Sequence, residues 1–255
     1  MQTLPADLSV QLPAIAADIV ERLRRRAPRV HCVTNSVAQN FTANMLLAAG
    51  AVPSMTTAPE EIAAFVRGAD ALLVNLGTFD AERRAAVEAA LAAREGRPWV
   101  LDPVFVDRSP DRAAFARSLL AARPAVVRLN RAELGTLAAG ADARAAAARW
   151  TTIVALSGAT DVVTDGVASL SLGNGHALMA RVTAMGCAGS ALVAACLAVE
   201  PDPLTAAASA LLLLGIAGEQ AAGVSRGPGT FATAIIDALD ALNGATIRQS
   251  AKVGA

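Results

Sequence analysis

Lysine is all but missing from this 255-residue chain, with Lys252 near the C-terminus its one example. A Walker A loop and a Schiff-base enzyme both need a buried, positioned lysine, so both are excluded. Histidine is nearly as scarce: His31 and His176 stand alone, and no HExxH pair occurs, which argues against a zinc hydrolase. A Ser-His-Asp site would also have only these two histidines to choose from. Tyrosine is absent, aromatics are 3% of residues, and formal net charge is zero. Neither the stacking platform nor the basic surface of a nucleic-acid binder can be built from that. Cys32, Cys187 and Cys196 are odd in number and lack CxxC spacing, so a disulfide framework is not expected and a reducing cytoplasm fits. Asp7 and Asp18 interrupt the first segment, so neither a signal peptide nor a membrane span is expected there. The run 206–217 is strongly apolar but short for a span, and reads as a buried helix.

What the chain does have is 54% hydrophobic residues. A chain of this size buries about 70–75% of its unfolded surface, enough for one large domain over residues 1–255 without disulfide or structural metal. Its ends, 1–10 and 244–255, read as loosely ordered tails. Val/Ile/Leu-rich runs at 30–34, 71–75, 99–102, 125–129 and 152–157 are strand candidates, with a hairpin-like pair at 162–164 and 168–172. Between and after them lie helical patterns at 15–26, 37–49, 60–67, 81–94, 112–121, 132–148, 188–199, 203–223 and 231–242. Alternation of this kind predicts an α/β fold, a mainly parallel sheet with helices on both faces. Ligands in such sheets bind beyond the carboxyl ends of the strands. That rule singles out Asn35, Asn75, Asp102, Arg128, Asn130 and Ser157.

Four local patterns could carry chemistry. Ala184-Met185-Gly186-Cys187-Ala188-Gly189-Ser190 opens an apolar helix. Small residues there can present free N–H groups to a phosphate, and a cysteine in the first turn would have a lowered pKa and could accept a proton. The same residues also suit a plain helix start with a buried cysteine. Asn130 and Glu133 are spaced as a capping box, or as a crevice for magnesium with Asp102 as partner. Arg128 could meet a phosphate in place of the missing lysine, or be merely solvated. Asn35 and Asn44 flank a polar helix ended by Gly50, and Met55 beyond it suits either a flat apolar ligand or loop packing. Finally, 226–230 (Arg-Gly-Pro-Gly-Thr) reads as a loop with Thr230 as N-cap, or as a nucleotide-proximal loop.

Taken in order and spacing, these segments resemble the hydroxyethylthiazole kinase family. The resemblance runs from about Val30 to Leu242 and rests on Val33-Thr34-Asn35, Thr42-Ala43-Asn44, Pro53 with Met55, and Asn75 with Gly77-Thr78. It continues through Asp102-Pro103, Arg128 with Asn130, Glu133, Thr164-Asp165-Gly166, Gly186-Cys187-Ala188 and Gly227-Pro228-Gly229. It implies a ribokinase-like three-layer sandwich and ATP-dependent phosphorylation of a thiazole alcohol in thiamine salvage, with magnesium. It also implies a cytoplasmic homotrimer with its active site at a subunit interface. Carried over, Cys187 is the base for the alcohol, with Met55, Ala184 and Asn35 at the substrate. Arg128, Ser157 and Gly186 serve ATP, and Asp102 and Glu133 serve magnesium. Four departures stand out. Ala184-Met185 replaces the usual Gly-Thr, Ser157 replaces Thr, Asp107 replaces a small residue, and the region 133–152 is shorter by about a helix.

Overall fold

The computed structural model describes residues 8–255. Its strands are β1 (Arg29–Val33), β2 (Val52–Ser54), β3 (Ala71–Asn75), β4 (Trp99–Asp102), β5 (Val126–Asn130), β6 (Ile153–Ser157), β7 (Asp161–Thr164), β8 (Ser169–Leu172) and β9 (Val253–Gly254). All join one sheet in the order β2-β1-β3-β4-β5-β6-β7-β8-β9. The first six pair in parallel, and β7, β8 and β9 continue the sheet antiparallel. The helices are α1 (Leu8–Arg26), α2 (Gln39–Ala48), α3 (Ile62–Arg67), α4 (Ala81–Ala93), α5 (Pro110–Leu120), α6 (Arg131–Ala138), α7 (Ala143–Trp150), α8 (Met185–Leu197), α9 (Pro203–Val224), α10 (Pro228–Ala241) and α11 (Gly244–Ser250).

Strict alternation of side chains splits each central strand between two cores. In β3, Ala71 and Leu73 pack with α1, α2 and α8–α11, while Leu72 and Val74 pack with α3–α7. In β6, Ile153 and Ala155 take the first side and Val154 the second. Strands buried on both faces read as continuous apolar runs, which is why they were legible. Asp80, Ser109, Asp142 and Asp202 each accept a backbone N–H at a helix start, and Pro110 and Pro203 sit just inside the helices they open.

The structure corrects several expectations. The pattern 132–148 is two helices, because Ala139 (φ 54°) and Gly140 (φ 83°) turn left-handed and Asp142 caps a fresh start. β2 was unread; it is three residues long and contains Pro53, which an edge strand tolerates. The apolar run in α9 belongs to a helix of 22 residues, long and apolar enough to cross a membrane, yet 72% of its most apolar stretch is buried inside the fold. Of the expected tails, residues 1–7 lie outside the described residues. Residues 8–10 already belong to α1, and the C-terminal stretch forms α11 and β9, with Asn243 capping α11. Thr230 is not an N-cap: α10 begins at Pro228, and the Thr230 hydroxyl, a turn inside, accepts the N–H groups of Arg226 and Gly227.

Candidate active site

Parallel pairing brings the carboxyl ends of β1, β3, β4, β5 and β6 to one edge of the sheet, where α8 begins. Asn75 is in register with Asp102, and Asn130 with Ser157. Because Leu101, Val127 and Leu156 face the α3–α7 side, their successors Asp102, Arg128 and Ser157 face the other way, toward α8. A cavity of about 570 Å³ lies there, bordered by Asn35, Asp102, Arg128, Glu133, Ala184 and Cys187. A second, of about 560 Å³, adjoins it and shares Arg128, Ser157, Met185 and Gly186.

A chain of side-chain hydrogen bonds frames the first cavity. Asn35 Nδ2 donates to Cys187 Sγ at 3.3 Å and to Asn75 Oδ1 at 3.0 Å. Asn75 Nδ2 donates to Asp102 Oδ2 at 2.7 Å, and Ser190 Oγ donates to the same oxygen at 2.8 Å. The carboxylate can only accept, so it fixes the orientation of both amides and turns an N–H onto the thiol sulfur. Gly77 must lack a side chain here, since a Cβ would fall 2.5 Å from Asn35 Nδ2. At Gly186 a would-be Cβ would fall 2.7 Å from Arg128 Nη1, so a side chain there would displace the guanidinium tip.

Charges in this pocket are unbalanced. Burial pushes Asp102 up to about 6; the Arg128 charge opposes that and the Glu133 charge adds to it. Arg128 Nε is buried with no hydrogen-bond partner, a donor poised for an anion. The first turn of α8 has no side-chain cap, so its N–H groups open on the cavity lined by Ala184–Cys187.

Cys187 differs from expectation. Its pKa is pushed up to about 11, first by burial and then by the Asp102 carboxylate, against the hydrogen bonds from Asn75 and Asn35 and the Arg128 charge. Desolvation outweighs the helix terminus, so a lowered pKa does not hold in the free protein. Cys32 and Cys196 are fully buried, as core residues.

Glu133 forms the capping box: its Oε2 accepts Asn130 N–H at 2.9 Å, and Asn130 Oδ1 accepts Glu133 N–H at 3.0 Å. Its Oε1 takes the Phe105 N–H at 3.0 Å. Ser157 Oγ donates to the Leu129 carbonyl at 3.2 Å. Ala184 sits at φ 66°, the left-handed conformation that its Cβ disfavours. Met55 does not border either cavity; it lies half-buried beyond β2 against the first core. Asp107 is also away from both cavities, exposed and ion-paired with Arg108 at 3.0 Å. The 226–230 loop borders neither.

Reasoning on sequence missed Ser190 and Phe105 as site residues. Ser190 follows Cys187 by three, so helical spacing alone puts it on the same face. Phe105 is an exposed aromatic at φ 59° on the cavity rim, a strained placement that no sequence signal announces.

The hydroxyethylthiazole kinase family matches residues 20–144 and 137–244. The chain belongs to the hydroxyethylthiazole kinase family. The two matched segments overlap at residues 137–144, from the end of α6 into the start of α7. A probable hydroxyethylthiazole kinase of Agrobacterium fabrum is 46% identical over 243 residues, covering 94% of this chain and 95% of that protein. The hydroxyethylthiazole kinase of Cronobacter sakazakii is 45% identical, covering 89% and 92%. The solved hydroxyethylthiazole kinase protein of Pyrococcus horikoshii superposes with a TM-score of 0.90 at 39% identity, covering 94% of this chain and 98% of that one. A ribokinase-like protein from Enterococcus faecalis (TM-score 0.66, 13% identity) and a Staphylococcus aureus pyridoxal kinase (0.60, 18%) share the fold, as the α/β, ribokinase-like expectation required.

Proposed function

We propose that this chain transfers the γ-phosphoryl group of ATP to the hydroxyl of hydroxyethylthiazole, at the edge where α8 meets the strand ends. The observation that carries the reading is the convergence on one cavity of an uncapped helix start, an unpartnered Arg128 Nε and a thiol gripped by an amide. Each has a use in phosphoryl transfer, where positioning and charge neutralisation outweigh covalent chemistry. The N–H groups of Gly186 and Cys187, with Arg128, would bind phosphate oxygens without a lysine. Ser157, on the wall between the two cavities, would complete the nucleotide's contacts. Asn35 and Ala184 would border the alcohol.

Cys187 would receive the hydroxyl. With the thiol at about 11, first through burial and then through the Asp102 charge, only about one molecule in 10⁴ carries thiolate near neutral pH, so its service as a base is small. A loose transition state sheds the alcohol proton late, which makes a weak base tolerable.

Magnesium fits the residues present. Among the described residues no cluster of three or more His, Cys, Asp or Glu suits a metal, but a nucleotide-bound magnesium needs only one or two protein carboxylates. Asp102 is buried, with both its donors on Oδ2 and its charge only partly balanced. Glu133 already accepts two backbone N–H groups, so it suits an outer role through water. The ion would neutralise phosphate charge.

Family kinship also supports a cytoplasmic homotrimer in which Met55, remote from its own chain's cavities, contributes to a neighbour's thiazole site. Light scattering on a sizing column tests the trimer. The activity is tested by coupled ADP release with hydroxyethylthiazole, a hydroxymethylpyrimidine and pyridoxal. ADP formed fastest with the thiazole supports the reading. Faster turnover of either rival overturns it, and so does thiazole binding without ADP release.

A further inference from the structure

We propose that the C-terminal segment is a positioning element for the second cavity, acting through Asn174 to set nucleotide affinity. This rests on the reading that the cavity shared by Arg128 and Ser157 holds ATP.

The far wall of that cavity is residues 174–177, running from the end of β8 into a short 3-10 turn, Ala177–Arg181, whose Met179 borders both cavities. Such a connecting stretch has no ladder of its own, and here it is clamped from two sides. On one side lies α9. A Cβ on Gly215 would come within 2.6 Å of the Asn174 carbonyl oxygen, and one on Gly218 within 2.6 Å of Met179 Sδ. Gly215 lets the wall's backbone sit directly on the helix, and Gly218 leaves room for the Met179 side chain.

On the other side lies the end of the chain. Asn174 is buried, 6% exposed, and both its side-chain polar atoms are engaged. Its Nδ2 donates to the Ser250 carbonyl at 2.8 Å and to Glu219 Oε2 at 3.1 Å, and its Oδ1 accepts Lys252 N–H at 2.7 Å. The Lys252 carbonyl accepts Gly173 N–H at 2.8 Å. Glu219 Oε1 accepts Gly175 N–H at 3.1 Å and the Lys252 ammonium at 2.8 Å. β9 then pairs with β8, Leu172 opposite Val253. The chain's one lysine thus belongs to this clamp. Its exposed ion pair adds little alone. The buried amide is the hub, since losing it strands main-chain groups of both segments.

Glu219 and Lys252 border neither cavity, and Asn174 borders only the second. Loosening the clamp should therefore weaken the nucleotide and spare the alcohol. The test compares Asn174→Ala, Glu219→Ala and a chain ending at Ser250 with the parent, measuring KM for ATP, KM for the thiazole alcohol, kcat and Tm. The expected result is a rise of about tenfold in KM for ATP, with kcat and the alcohol's KM within about twofold. Lys252→Ala, which keeps the main-chain bonds, should change KM for ATP far less. If the variants melt earlier but keep the parental KM for ATP, the clamp is only structural and the proposal fails. It fails equally if all three constants move together. Should the shortened chain not fold, the two point variants decide. Arg128→Ala is the control: if it too leaves KM for ATP unchanged, the nucleotide reading of the cavity is at fault.

Discussion

Replacing Asp102 by asparagine should stabilise the free protein above neutral pH while removing turnover. Asp102 is 3% exposed, and its folded-state pKa of about 6 is raised above the ordinary aspartate value, chiefly by burial. A raised carboxylate favours the fold only while protonated. Its contribution is therefore fully present below about pH 4 and is lost as pH rises through about 6. The change in proton affinity is roughly hundredfold, and each tenfold is worth about 1.4 kcal/mol. Ionised Asp102 thus costs the native state about 3 kcal/mol at pH 8 or so. Asparagine escapes that cost, and its amide oxygen can still accept from Asn75 and Ser190, which both bond to Oδ2. Urea unfolding of both proteins, without metal or nucleotide, should give equal stability near pH 4 and an advantage of about 3 kcal/mol to Asp102→Asn near pH 8. A gap that is absent at pH 8, or the same at both, would refute the claim that burial strains this carboxylate. Stability bought by losing a functional charge is a common exchange at active sites.

Cys187→Ala should lower kcat by at most about 10²–10⁴-fold, the usual reach of general-base help, and leave the alcohol's binding intact in a titration. Unchanged turnover would remove Cys187 as the proton acceptor. Cys187→Asp should keep turnover at or above the parental rate, because a carboxylate ionises where the thiol at about 11 does not. Ala184→Gly should raise Tm by about 1–3 °C in calorimetry. The left-handed Cβ penalty of about 1–2 kcal/mol is relieved, less the entropy that glycine adds to the unfolded chain. Glu133→Gln can keep the capping box but loses the Phe105 N–H bond, because an amide nitrogen cannot accept; it should melt somewhat earlier than the parent and need more magnesium for half-maximal rate. A flat metal response would mean that Glu133 only holds Asn130 and Phe105.

The sheet was readable because its central strands are buried on both faces, which forces uninterrupted apolar runs such as Leu72-Leu73-Val74. β2 and β9 were not, since an edge strand of two or three residues carries no period to detect. The left-handed turn at Ala139, which split one expected helix into two, is set by local backbone geometry at a residue that normally favours helix.

In the site, composition settled which chemistries were closed: a lone lysine outside any glycine-rich loop and two histidines without an HExxH pair left no Walker A loop and no zinc-hydrolase motif. Position after a strand marked Asn35, Asp102, Arg128 and Ser157, because parallel pairing sends every strand end to one edge. Residue types could not say which partner each would find. Glu133 caps a helix and holds Phe105, Asn75 relays between Asp102 and Asn35, and Cys187 becomes less acidic at a helix start that ordinarily makes cysteine more so. Those outcomes turn on burial and on neighbours far away in the chain. Desolvation and charge coupling exist only once the sheet and α8 have closed over the same few side chains.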